Sequence, residues 1–250
     1  MNLDELAHVE AMCSALLEGH NEAARSEAQE QLNALQSSTD FIPQCQFILD
    51  NSTQWCAQVV ASSSLENLIT QFWNSFTVEQ KVMIRNYVLN YLATKAPTLN
   101  DYVLGNLTKL TSRITKLGWF DSAEHRDIID KTRILLEDTI DNHIVGLRLL
   151  IALVDEMNIP TMGRTLTVHR RTAVSFRDQC LFQAFQISIQ TLHNLRMGSI
   201  DASPEQTIKV STSIYDEMKT YMTIVIMFIA PIIYLDCELR ASTLHKLSLL

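Results

Sequence analysis

Apolar residues recur every three or four positions along almost the whole chain, the spacing of one face of a helix. Leu3, Leu6, Met12, Cys13 and Leu16 share one side of a helix over 3–18. Gly19 stops it, and Asn21 caps a second helix over 22–36 with the stripe Ala24, Ala28, Leu32 and Leu35. Residues 40–51 carry Phe41, Cys45, Ile48 and Leu49, and residues 54–73 carry Ala57, Val60, Ala61, Leu65, Leu68, Ile69 and Phe72. Thr77 and Gln80 form a capping box for a helix over 78–95, and Pro97 ends it. Thr98 is placed to cap the next, which runs to about Lys116 before Gly118. Asp121 with Glu124 opens a helix over about 122–139 with Ile128, Ile129, Leu135 and Leu136 on one face. Ile144, Leu147, Leu150, Ile151 and Val154 mark a helix near 142–157, and Pro160 and Gly163 mark a loop over 158–166. Two helical pieces follow, about 168–176 and 178–196, with Gly198 as a stop. Ser203-Pro204-Glu205-Gln206 reads as another helix start, with a cap, a proline at the first position and a side chain to close the box.

The connections are short, so consecutive helices are antiparallel neighbours. The first helices of successive pairs start near 21, 53, 98 and 141, about 32 to 45 residues apart; armadillo and HEAT arrays repeat at about 40–47. The fold class expected is all-α: a HEAT-repeat (armadillo-like) α-solenoid of about four to five helical pairs, with a single irregular bundle as the alternative. A leading helix occupies 1–20, repeats 21–96 and 97–197, and a helical tail 198–250. The helix over 78–95 is apolar around most of its circumference. Val78, Val82, Leu89 and Leu92 form one face, and Ile84, Tyr87, Val88 and Tyr91 widen it. A bundle helix needs a stripe of only about 100°. A wider one suits a helix that touches its partner and both neighbouring repeats. Only Glu79, Met83, Asn86 and Asn90 are left as a free stripe.

Composition narrows the function. The chain has 250 residues, 47% of them hydrophobic, and only six glycines and five prolines, too few for the many turns of a β-sandwich. Its 28 acidic and 20 basic side chains leave a formal charge of −8. That argues against nucleic acid as a partner and permits a basic protein partner. The five cysteines (Cys13, Cys45, Cys56, Cys180 and Cys237) are widely spaced and read as reduced thiols. The N-terminus lacks the basic and apolar regions of a signal peptide, so the sequons at Asn51 and Asn106 are not expected to carry glycans.

Three longer stretches carry a resemblance. "RNYVLNYLAT" (85–94), "RITKLGWFD" (113–121) and "HRRTAVSFRDQCLF" (169–182) resemble the exportin-7 and Ran-binding protein 16/17 group of the importin-β superfamily. "SEAQEQLNALQSSTDFIPQCQFIL" (26–49) is similar to the start of the importin N-terminal domain. The resemblance covers about residues 5–195. It implies HEAT repeats and a nuclear transport receptor, working between nucleus and cytoplasm through the nuclear pore complex. Such receptors bind the small GTPase Ran in its GTP form together with protein cargo, and touch phenylalanine–glycine nucleoporins. In the family the second helices of the first repeats face Ran. On this chain those helices fall at about 40–50, 78–95 and 122–139. Their outward positions are Gln46 and Asp50 on the first, Glu79, Met83, Asn86 and Asn90 on the second, and Arg126, Asp130, Arg133 and Glu137 on the third. Arg85 is a rival that the wheel puts near a seam. Family members carry many more repeats, so the sequence reads as a fragment or short isoform, with cargo binding requiring the absent repeats.

No enzyme or cofactor motif is present. The chain lacks the P-loop pattern, G-x-S-x-G, H-E-x-x-H and an EF-hand loop. His125 beside Glu124 reads as a helix-surface pair, His169-Arg170-Arg171 as a solvated helix start, and Trp119-Phe120 as plugs in a seam between repeats. The uncharged run 220–235 is shorter than the roughly 20 residues a bilayer span needs, and Pro231 interrupts it, so a membrane span is disfavoured. Its apolar surface is expected to make the full chain self-associate.

Overall fold

The computed structural model describes residues 1–136, 139–200, 202–212, 214, 215 and 219. Among them the secondary structure is helical, without strands. The ten longer helices are α1 (Leu3–Leu17), α2 (Glu22–Leu35), α3 (Phe41–Asn51), α4 (Trp55–Phe72), α5 (Val78–Lys95), α6 (Asp101–Gly118), α7 (Ile128–Leu136), α8 (Ile140–Asn158), α9 (Leu166–Phe176) and α10 (Phe182–Arg196). The run 220–235, expected not to span a membrane and to drive self-association, lies outside the described residues. No helix among the described residues is long and apolar enough to cross a membrane.

Local chemistry explains most helix starts. Asn21 accepts from the backbone N–H groups of Ala23 and Ala24. Thr77 and Gln80 close the expected capping box, and Ser203 and Gln206 close another. Two starts differ from the sequence reading. Ala96–Thr98 forms a short 3₁₀ turn, so Asn100, not Thr98, caps α6. The helix expected over 122–139 is divided. Ser122 caps a 3₁₀ turn at Ala123–Arg126, and α7 begins only at Ile128. Asp121 does not cap because its carboxylate is taken by Lys81 and Trp73. The two pieces expected after 166 form one continuous run, with α9 and α10 joined by a π-helical turn at Arg177–Leu181.

The helices form two layers. α1, α4, α6 and α8 pack one on the next, while α3, α5 and α7 each pair with the helix that follows. α2 packs on α1. The repeat is visible in four polar bonds across the seams, which join residues 40–43 apart: Tyr91 to Leu49, Lys81 to Asp121, Arg85 to Asp127 and Arg113 to Glu156. In these four bonds a residue meets its counterpart one repeat along, as in a HEAT-like α-solenoid. A single irregular bundle would not keep one period across its seams.

A continuous apolar core threads the layers, from Leu6 and Val9 through Leu65, Leu92, Leu107 and Leu149 to Phe176 and Leu181. Its largest plugs are Trp73 and Trp119. Trp119 fills a seam as expected; its indole N–H donates to Ser175 Oγ at 3.0 Å and its ring meets Phe176 edge-on at 5.7 Å. Phe120 does not fill a seam. It stays 43% exposed beneath the Arg171 guanidinium, 4.2 Å from the ring centroid. A second cluster joins Leu136, Ile144 and Leu147 to Val210 and Ile214, so these two residues pack back on α7 and α8.

Candidate partner-binding face

The side of the solenoid built by α3, α5 and α7 carries the stripe residues. α3 and α5 are bolted together by two tyrosines. Tyr91 O–H donates to the Leu49 carbonyl at 2.8 Å. Tyr87 O–H lies within reach of both the Gln46 carbonyl, at 3.2 Å, and the Asp50 carboxylate, at 3.1 Å. Burial, reinforced by Asp50, raises the pKa of both phenols, that of Tyr91 to about 12. These bonds close the seam while Asp50 stays exposed and Gln46 half-buried.

On α5 the four stripe residues Glu79, Met83, Asn86 and Asn90 are all exposed, Met83 to 70%. A hydrogen bond from the Glu79 backbone N–H and one from the Thr77 hydroxyl hold the Glu79 carboxyl below the usual range. The opposite face departs from the helical wheel. Val78 is 45% exposed, and Lys81 and Arg85 are buried in line with Val88 and Leu92. The wheel set Arg85 near a seam and gave Lys81 no place, and neither partner can be seen on it. Lys81 Nζ sits 2.7 Å from Asp121 and 4.9 Å from the centre of the Trp73 ring. Arg85 pairs with Asp127 and donates to Asn86 Oδ1 at 3.0 Å. Arg85 therefore belongs to the seam, as its wheel position indicated. Its partners were legible only as acids about one repeat further along.

His125 is a correction as well. It is fully buried, edge-on to Trp73 at 5.9 Å, and neither ring nitrogen has a hydrogen-bond partner among the described residues. Burial first, and then the nearby Arg85 charge, push its pKa down to about 4. The room for this ring comes from Gly118, where a Cβ would lie 2.4 Å from His125 Cδ2. Gly118 thus serves as the last residue of α6 and as a packing site.

The third stripe is only partly assembled. Asp130 and Arg133 are exposed on α7. Arg126 lies on the preceding 3₁₀ turn, half-buried, donating to the Trp119 carbonyl at 2.8 Å. It does not share a helix with Asp130, because the chain re-registers between them. Glu137 lies outside the described residues.

The other layer carries a charged seam. Glu66 of α4 forms ion pairs with Lys109 and Arg113 of α6, and Arg113 makes a two-pronged bond to Glu156 of α8 at 2.6 and 2.9 Å. Lys116 adds a bond to the Glu156 carbonyl at 2.7 Å. Burial lowers the Lys116 pKa and Glu156 opposes that. Asn106 spends its amide on Ser62 and Ser63 of α4. Cys13, Cys45, Cys56 and Cys180 are free and buried, and desolvation raises their pKa values, that of Cys13 to about 12. No group of three or more metal-ligating side chains occurs among the described residues.

Residues 28–94, from α2 through α5, match the importin-β N-terminal domain. The chain is 35% identical over 194 residues to Exportin-7-A of Xenopus laevis, covering 76% of this chain and 18% of that protein. It is 35% identical over 185 residues to Ran-binding protein 17 of Mus musculus, covering 72% and 17% respectively. It is 32% identical over 206 residues to Ran-binding protein 16 of Drosophila melanogaster, covering 80% and 18%. The chain thus spans under a fifth of the length of these curated relatives. With its 40-residue register of seams, its importin-type N-terminal domain and these matches, it belongs to the exportin-7 and Ran-binding protein 16/17 group of the importin-β superfamily, corresponding to the N-terminal part of its members.

Proposed function

We propose that this chain is the N-terminal segment of a nuclear transport receptor and binds the GTP form of Ran along the free faces of α3, α5 and α7. The observation that carries the reading is the exposed stripe Glu79, Met83, Asn86 and Asn90 beside Asp50, within the importin-type N-terminal domain. The names of the relatives, Ran-binding protein and exportin, support it. Asp130 and Arg133 extend the face, while Gln46 is half-buried and the Arg126 guanidinium is spent on the Trp119 carbonyl. Phenylalanine–glycine nucleoporins and protein cargo are further partners in this reading, with cargo needing repeats beyond the matched part. The site of action is the nucleus, the cytoplasm and the nuclear pore complex.

Capture of purified Ran, loaded with GTP or GDP, on the immobilised full chain tests this reading. The expected result is capture of the GTP form and at least about tenfold weaker capture by N86E/N90E, whose circular dichroism is unchanged. The new carboxylate at 86 lies beside Arg85, so the substitution adds a compatible charge to the seam. Equal capture of both nucleotide forms would overturn the proposal. Absence of any capture would favour the alternative, a helical scaffold that holds a different protein.

A further inference from the structure

The charge of the chain is concentrated at one end. Residues 1–80 hold eleven acidic side chains and a single basic one, Arg25, a net of −10. Residues 81–250 hold 17 acidic and 19 basic side chains, a net of +2. In the folded chain the acidic end is scarcely neutralised. Among the described residues, Glu5 pairs with the N-terminal amine, and Glu66 with Lys109 and Arg113. Asp4, Glu18, Glu22, Glu27, Glu30, Asp40, Asp50 and Glu79 are exposed, with no cationic partner among the described residues.

This end also holds a large groove. It is about 760 Å³, between α1, α2 and the start of α3. Its floor is apolar: Val9 and Met12 are buried, and Leu35 and Met1 half-buried. Asp4 and Glu5 stand on its α1 rim. On the α2 wall Glu27 accepts from Gln31, a groove residue one turn along. α2 itself is lightly held, with only Ala28 and Leu32 buried. Apart from the N-terminal amine beside Glu5, the charges at the rim are acidic, and apolar walls under such a rim concentrate the field at the mouth of a cleft. The same field repels nucleic acid and anionic membrane surfaces, which leaves protein as the matching class.

We propose that the α1–α2–α3 groove is a docking site for an amphipathic helix of a partner protein, with apolar side chains on the floor and Lys or Arg facing Asp4 and Glu27. The helix-in-groove mode supplies the geometry, and the acid rim sets orientation and speeds encounter. The site lies on α1 and α2, apart from the α3–α5–α7 face, and does not depend on the Ran reading.

A fluorescent 18-residue Leu/Lys amphipathic peptide and its Leu/Glu counterpart, titrated into the full chain by anisotropy, provide the test. The Leu/Lys peptide binds, the Leu/Glu peptide does not, and D4K/E27K weakens binding at least about tenfold. The charge-matched pair E79K/E124K, outside the groove, leaves it within about twofold. Circular dichroism checks that both pairs keep their helices. Equal weakening by both pairs would reduce the effect to net charge and overturn the proposal. Equal binding of the two peptides would overturn it in favour of an unselective apolar surface. A dimer seen by light scattering and abolished by D4K/E27K would overturn it too, because a second copy would then occupy the groove.

Discussion

Asp127→Ala tests the seam between α5 and the turn before α7. Arg85 is 2% exposed, and its Nε has no hydrogen-bond partner. Its compensation rests on Asp127 and Asn86 Oδ1. Removing one partner of a buried pair costs about 3–5 kcal/mol, because the other charge is left without compensation. The Asp127 side chain is 36% exposed, so water can reach part of the vacated site. The low end, about 3 kcal/mol, is therefore expected. In a chain of this size about 2–4 °C accompany each kcal/mol, which predicts a melting point lower by about 6–12 °C. Thermal and urea unfolding followed by circular dichroism measure it. The double variant R85M/D127A removes both charges and keeps apolar volume. It should recover to within about 1 kcal/mol of the parent. Asp130→Ala, on the exposed face of α7, should stay within about 0.5 kcal/mol. A D127A protein as stable as the parent, or a double variant as unstable as D127A, would refute the argument that Arg85 is buried at the expense of its partner.

Three further outcomes follow from the same region. His125 keeps a folded pKa of about 4 against an ordinary 6.5, so the unfolded chain binds its proton first as pH falls. Its stability contribution is complete above about 6.5 and is lost towards pH 4, about 3 kcal/mol in all; His125→Phe should flatten that part of a pH series of urea midpoints. Gly118→Ala drives a methyl into the His125 ring and should cost about 1–3 kcal/mol in urea unfolding, with His125→Ala restoring part of the loss. Trp119→Ala empties a fully buried site and should cost about 3–5 kcal/mol; a melting point within a degree or two of the parent would contradict its place in the core.

The helices were legible in the sequence because their signals are local. Caps such as Asn21, Thr77 and Ser203 satisfy backbone groups within three residues. The all-α class and the free stripe of α5 followed from spacing, and the family from long quoted stretches. The misread positions depend on residues far along the chain. The wheel put Arg85 near a seam, but nothing near it or Lys81 names a partner; only the fold brings Asp121 and Asp127 to them across 40 and 42 residues. The same non-local bond draws Asp121 away from capping, so the helix expected from 122 begins at Ile128 and Arg126 parts from Asp130. His125 read as a surface pair with Glu124, yet the space left by Gly118 and the edge of Trp73 take it inside. The open groove at the acidic end is likewise a tertiary feature, because its walls come from three helices that the sequence presents one after another. Sequence determined which segments are helical, since that is settled within a turn or two. Tertiary structure decided which polar side chains face inward, since a charge is buried only where a partner one repeat away offsets its loss of water.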